Sequence, residues 1–324
     1  MTTFKEIRGT TIEVVSSDPA NPELGQIWYN SSSGTLKGYQ TVNAWSAGGN
    51  LATARQGIGG TGTQSAALAF GGRTPPISAS SATELYNGIA WTPTGSMNTA
   101  RWYLGSAGTQ TAGLAFGGYD SSSFRAITES FNGSTWTTVP GTLNSARGYM
   151  QGCGTQTAAL TFGGFPPGTG TTATEKYNGT SWTTSGNMGT ARYSMGAAGI
   201  QTAALGFGGV AGGPSLSNTE SFNGTSWTTV NSLNTARKYF PGAGTQTAAL
   251  AFGGNLGPAY TGATELWNGT TWTSNPTGLA TARAGFGGAG SQTAALGFGG
   301  IDATAYSSAT EEWNSVSTRT ITVS

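Results

Sequence analysis

Arg55, Arg101, Arg147, Arg192, Arg237 and Arg283 recur every 45 or 46 residues, and a glutamate follows each: Glu84, Glu129, Glu175, Glu220, Glu265 and Glu311. Together they are 12 of the 27 charged side chains (14 Lys and Arg, 13 Asp and Glu). Two kinds of chemistry use such a set. Gathered guanidinium groups grip carboxylates as bidentate forks, and gathered carboxylates can cleave glycosidic bonds by acid–base catalysis. One Arg for every Glu at a single period also makes ion pairs whose work is to lock strands together. The structural ring is the preferred reading, because catalysis needs one repeat to depart from the rest and none is seen to do so. The chain contains no histidine, which excludes imidazole as base or metal ligand. Asp120 and Asp302 are isolated, so no metal site is expected. The Gly-rich FGG stretches lack the strand-then-helix setting and the lysine of a phosphate loop, so no nucleotide or other cofactor is expected. Cys153 stands where other repeats have Ala107 or Ala198 and reads as a packed core residue, not a nucleophile.

The elements that carry these residues are repeats. Gly-Gly pairs begin at Gly71, Gly117, Gly163, Gly208, Gly253 and Gly299, and tryptophans stand at Trp45, Trp91, Trp136, Trp182, Trp227 and Trp272. Within 101–139, RWYLGSAG reads as a strand whose small residues let backbones crowd together. TAGLAFGG is a short apolar run stopped by glycines, and AITESFNG alternates apolar and polar residues. Asn132-Gly133 suits a tight hairpin, since both residues tolerate positive φ, and TWTTV supplies an outer strand. Four strands per unit and six units predict an all-β fold, a six-bladed β-propeller of four-stranded antiparallel blades, with repeats starting near 55, 101, 147, 192, 237 and 283. The predicted division is an N-terminal arm over 1–35 and a propeller over 36–324. GYQTVNAWSA (38–47) is expected to supply the outer strand of the last blade, which removes an exposed edge. STRTITVS (317–324) is expected at the rim of that blade, or else paired with the N-terminal region.

These landmarks resemble the kelch repeat: Arg192 before the first strand, Gly208-Gly209 after the second, Glu220 with Phe222 in the third and Trp227 in the fourth. The resemblance covers about 36–314 and implies the propeller fold; enzymes, adaptors and receptor binders all use it.

The composition limits partners. Glycine supplies 54 residues and charged residues only 8%, yet ten Trp, eleven Tyr and thirteen Phe argue for a packed chain. A net charge of +1 gives no field to attract nucleic acid or an anionic membrane. No apolar run approaches about 18 residues, so no membrane insertion is expected. MTTFKEIRGTTIEVVSS lacks the apolar region of a secretory signal, so the sequons at Asn132, Asn178, Asn223 and Asn268 are read as hairpin turns. PELGQIWYNSSSGTLKGYQTVNAW (22–45) resembles a module of bacteriophage tail-fibre and other virion proteins, through Gly25, Ile27, Trp28, Tyr29, Asn30, Leu36, Lys37, Tyr39 and Trp45. That resemblance implies a virion localisation, with other virion proteins as partners of the arm through Ile27, Trp28 and Tyr29.

The GTQT and NGTS turns, alike in all repeats, lie at one end of the strands. The loops after Gly-Gly lie at the other and differ: RTPPISASS, YDSSSFRA, FPPGTGTT, VAGGPSLS, NLGPAYTG and IDATAYSS. Diverse loops on a rigid scaffold are where binding resides. Tyr119, Phe124, Arg125, Phe165, Tyr260 and Tyr306 are their aromatic and charged tips, suited to stacking on sugar rings. The expected function is a non-enzymatic phage structural protein, a tail fibre or receptor-binding component that presents these loops to a host-surface glycan or protein. A homo-oligomer is compatible with this. The alternatives are a virion scaffold or decoration protein, a propeller glycan hydrolase or lyase, and an intracellular kelch-type adaptor.

Overall fold

A computed structural model describes residues 12–23 and 25–321, and every helix or strand among them is a β-strand. Two compact units are present: Trp45–Trp313, and a smaller one formed by the chain up to Ala44 and from Asn314.

In the larger unit the repeats become sheets. The second repeat shows the pattern: Gly105–Gly108, Gly113–Phe116, Thr128–Phe131 and Trp136–Val139 form a four-stranded antiparallel sheet in sequence order. Four other sheets have the same order, with first strands at Gly59–Gly62, Gln151–Gly154, Gly196–Ile200 and Gly242–Gly244. A sixth set has Gly287–Gly290 beside Ala294–Phe298, then the strand Thr310–Thr320 and next to it Thr35–Gly48, which contributes Trp45 to this unit. The arrangement is propeller-like. Second strands such as Gly113–Phe116 are buried at all four positions, because sheets cover both of their faces. Outer strands such as Trp136–Val139 bury the tryptophan and leave the next residues exposed.

First strands of successive sheets pack against one another, and the sixth packs against the first. That crowding explains the small residues there. A Cβ at Gly242 would stand 2.3 Å from the carbonyl oxygen of Ala197 in the preceding sheet, so only glycine fits. The predicted first strand was longer than the observed one. Residues Arg101–Leu104 are not strand, because Tyr103 has φ of +49°, which breaks the extended backbone. The Asn-Gly turn also works differently from expectation. Only Gly133 takes positive φ, at +99°, while Asn132 acts through its side chain, whose Oδ1 accepts from the N–H groups of Ser134 and Thr135 at 3.0 and 2.9 Å.

Each sheet is tied to its predecessor by the same bonds. Trp136 packs on Phe70 with centroids 4.9 Å apart and donates Nε1–H to Thr83 Oγ1 at 2.9 Å. Equivalent pairs join Trp182 to Phe116, Trp227 to Phe162 and Trp272 to Phe207, then Trp45 to Phe252 and Trp91 to Phe298. An aromatic pair of this type adds about 0.5–1.5 kcal/mol beyond its buried area.

In the smaller unit, Glu13–Val15 runs parallel to Ile27–Asn30, which pairs antiparallel with Thr35–Gly38. Asp18 organises it. Its carboxylate accepts from Trp28 Nε1 at 3.0 Å, from Asn30 Nδ2 at 2.7 Å and from Lys37 Nζ at 2.7 Å. The strand Thr310–Thr320 neighbours Thr35–Gly48, and the Ile321 N–H donates to the Leu36 carbonyl at 2.8 Å. The C-terminal segment therefore pairs with the N-terminal region, the less favoured of its two expectations. Continuing the ladder of Thr310–Thr320 keeps backbone groups bonded that a separate rim strand would leave to a new partner. Residues 322–324 of that segment, and residues 1–11 and 24 of the arm, lie outside the described residues.

Candidate functional site

The six arginines are fully buried, and each meets the glutamate of its own sheet. Nitrogen–oxygen distances are 2.5 Å for Arg55–Glu84, Arg101–Glu129 and Arg237–Glu265, and 3.0 Å for Arg192–Glu220 and Arg283–Glu311; Arg147 pairs with Glu175 in the same way. The glutamates also accept backbone N–H groups from the segment that enters the sheet, as Glu129 Oε2 does from Asn98 at 2.7 Å. Burial lowers the pKa of Arg55, Arg101 and Arg192, the last to about 10, while the paired carboxylates act in the opposite sense. Each guanidinium is fully buried against its own glutamate, which leaves no exposed face on which the six could gather around a carboxylate ligand. The backbone of each Arg reaches the preceding sheet instead: Gly118 N–H donates to the Arg147 carbonyl at 2.9 Å, and Gly300 N–H to that of Arg55 at 2.8 Å.

Two positions beyond each Arg the chain turns left-handed. The residues are Gly57, Tyr103, Tyr149, Ser194, Tyr239 and Gly285, all with φ between 49° and 68°. Their backbones form a cycle of hydrogen bonds. Tyr103 N–H donates to Gly57 O, Tyr149 to Tyr103, Ser194 to Tyr149, Tyr239 to Ser194, Gly285 to Tyr239 and Gly57 to Gly285, all at 2.6–2.8 Å.

This column is not uniform. Tyr103 and Tyr149 stack with centroids 4.2 Å apart, and Tyr239 lies 5.8 and 6.2 Å from them. The three rings border two spaces. One, of about 100 Å³, is lined by first-strand residues such as Gly60, Ser106 and Gly152. The other, of about 360 Å³, opens among the variable loops, with Gln56, Arg73, Lys238, Asn255 and Tyr260 beside the tyrosines. No aspartate or glutamate lines either space. Burial raises the pKa of Tyr103, Tyr149 and Tyr239, which keeps them neutral hydrogen-bonding phenols over the ordinary pH range.

The expected loop residues are all half-buried rather than exposed tips. Phe124 and Phe165 pack 5.9 Å apart, each 6.4 Å from Tyr149. Tyr119 sits between Trp102 and Phe124 at 5.1 Å from each. Tyr260 lines the larger space, and Tyr306 lies under the Arg73 guanidinium at 5.7 Å. Arg125 is committed to an ion pair with Asp120. In the smaller unit Trp28 is fully buried, Ile27 is partly covered, and Tyr29 is 38% exposed.

Sequence reasoning missed Tyr103, Tyr149 and Tyr239, and its reading of the repeats as uniform does not hold at this column. The signal was available: Gly, Tyr, Tyr, Ser, Tyr and Gly stand two residues after the six arginines.

No protein-family model matches the chain, and no curated protein emerges as a relative.

Proposed function

We propose that the chain is a non-enzymatic binding protein built as a closed six-bladed, kelch-like β-propeller, and that it serves as a bacteriophage tail-fibre or receptor-binding component. The left-handed hydrogen-bond cycle from Gly57 to Gly285 supports closure, because it returns to its starting residue. The virion setting rests on the likeness of 22–45 to phage tail modules. Within that unit the edge strand Glu13–Val15 exposes Val14, directly opposite Tyr29, and these apolar groups are the candidates for contact with neighbouring virion proteins.

One observation carries the binding role. Three of the variable loops, through Arg73, through Asn255 with Tyr260, and through Ile301, border an aromatic depression with polar groups and no carboxylate, which suits recognition of a host-surface glycan and offers no acid–base pair for its hydrolysis. Two measurements test this. Immunolabelling of purified particles should place the protein at the tail, and its absence from particles removes the virion role. Replacing Tyr119, Phe124 and Tyr260 by Ser in a folded protein should reduce host adsorption; unaltered adsorption removes the receptor role.

A further inference from the structure

We infer that the depression above Tyr103, Tyr149 and Tyr239 takes an acidic sugar, a single ring bearing a carboxylate or phosphate that Arg73 and Lys238 neutralise. This rests on the binding role set out above and gives it a ligand class.

The cations are the distinguishing feature. Most charged groups of the larger unit are paired: the periodic arginines with their glutamates, and Arg125 with Asp120. Arg73 and Lys238 border the depression, and among the described residues neither has a carboxylate partner within ion-pair distance. Arg73 is nonetheless held in place. Its Nη2 donates to Gln56 Oε1 at 3.1 Å, and the Trp102 and Tyr306 rings lie 5.8 and 5.7 Å from its guanidinium carbon. Its Nε–H is buried without a partner. Gln56, 7% exposed, passes the restraint on by donating Nε2–H to the Tyr103 hydroxyl at 2.5 Å. A guanidinium fixed by rings and an amide, with donors to spare and no counter-ion, is prepared for an anion from outside. Lys238 stands on the other side, its ammonium 5.8 Å from the Tyr239 ring centre. Asp302, next to the lining residue Ile301, makes no ion pair with either cation among the described residues; its Oδ1 accepts from Thr304 and Ala305, and the cation its charge acts on is Arg283.

The remaining lining selects a ring over a bare ion. The rings of Tyr103, Tyr149, Tyr239 and Tyr260 offer apolar faces for the C–H groups of a sugar, while Asn255 offers its amide nitrogen to the sugar's hydroxyls. About 360 Å³ falls in the range of small-ligand pockets, roughly 300–1,000 Å³, and suits a single sugar ring better than a long chain laid across the face.

Ligand-observed NMR or calorimetry on the full chain tests this with glucuronate, glucose 6-phosphate, glucose and inorganic phosphate. Glucuronate or glucose 6-phosphate should bind about tenfold or more tighter than glucose, the better of the two identifying carboxylate or phosphate as the anion. Arg73→Gln and Lys238→Gln should each weaken that binding about tenfold, measured well below the thermal midpoint of each variant so that the chain is fully folded. Equal binding of glucose, binding of inorganic phosphate as tight as that of either acidic sugar, or unaltered affinity in both variants would overturn the inference. Host adsorption lost on loop replacement without any acidic-sugar binding overturns the ligand class and leaves the receptor role intact; the opposite pair of results removes the receptor role and keeps the pocket.

Discussion

Gln64 donates its side-chain amide to the carbonyl oxygen of Trp313 at 2.6 Å, across 249 positions of sequence. The glutamine of every repeat does the equivalent to the sheet before it. Gln110 reaches the carbonyls of Ala67 and Tyr86, Gln156 those of Gly113 and Phe131, and Gln292 those of Ala249 and Trp267. The first repeat thus treats the last as its predecessor, and these amides satisfy carbonyls that the ladders of the preceding sheet leave over.

Gln156→Ala should destabilise the protein by about 1–3 kcal/mol, since two carbonyls lose a donor. Gln64→Ala should cost a similar amount in chemical denaturation. A silent Gln64→Ala beside a costly Gln156→Ala would mean that the first and last sheets part in solution.

Arg147→Ala should cost about 3–5 kcal/mol, because Glu175 is left buried with a charge and only the Asn144 groups as donors. Replacing both members by apolar residues of similar size should cost far less. Ligand affinity should be unaltered in whatever fraction remains folded. A fall in affinity at constant thermal midpoint would assign the pair a part in binding.

Asp18 should make the smaller unit acid-sensitive. Hydrogen bonding from Lys37, then from Asn30 and Trp28, lowers its carboxyl pKa to about 2. A carboxylate with a depressed folded pKa stabilises above its unfolded value, about 3.9, and that contribution disappears as pH falls towards about 2. Trp28 fluorescence should follow this transition. Asp18→Asn should flatten the dependence between those values, and an unchanged acid profile would mean that another group controls it.

The three tyrosines of the left-handed column should titrate late. Burial raises the pKa of Tyr103, Tyr149 and Tyr239, so the stability tied to their neutral forms is complete below about 10, the unfolded value, and is lost as pH rises through the folded values. Tyrosinate absorbance should therefore show a delayed fraction that becomes smaller in Tyr149→Phe. Simultaneous titration of all tyrosines at the ordinary value would place the rings in solvent.

Much of the scaffold was legible because each of its parts is needed in every copy. Arg, Glu, Gly-Gly, Gln and Trp recur since each makes the same bond in each sheet, so a period in sequence becomes a period in space. The depression was harder to see for the opposite reason. Tyr103, Tyr149 and Tyr239 share their column with Gly57, Ser194 and Gly285, and positive φ in tyrosine has no local sequence cue. Of the loop residues singled out as tips, Tyr119, Phe124 and Phe165 turn their rings towards neighbouring aromatic rings and Tyr306 lies against Arg73. Trp28 misled differently: an aromatic in a short module suggests contact with a partner, whereas its indole N–H is committed to Asp18.

Trp45 and Trp313 stand on neighbouring strands with ring centroids 5.6 Å apart. The polypeptide thus enters and leaves its larger unit through one sheet. A mechanical load applied between those two points is borne by the strand pair they occupy, in the manner of a clasp, and the other five sheets stay slack. Tension through the ends therefore need not deform the depression where Arg73 and Tyr149 lie.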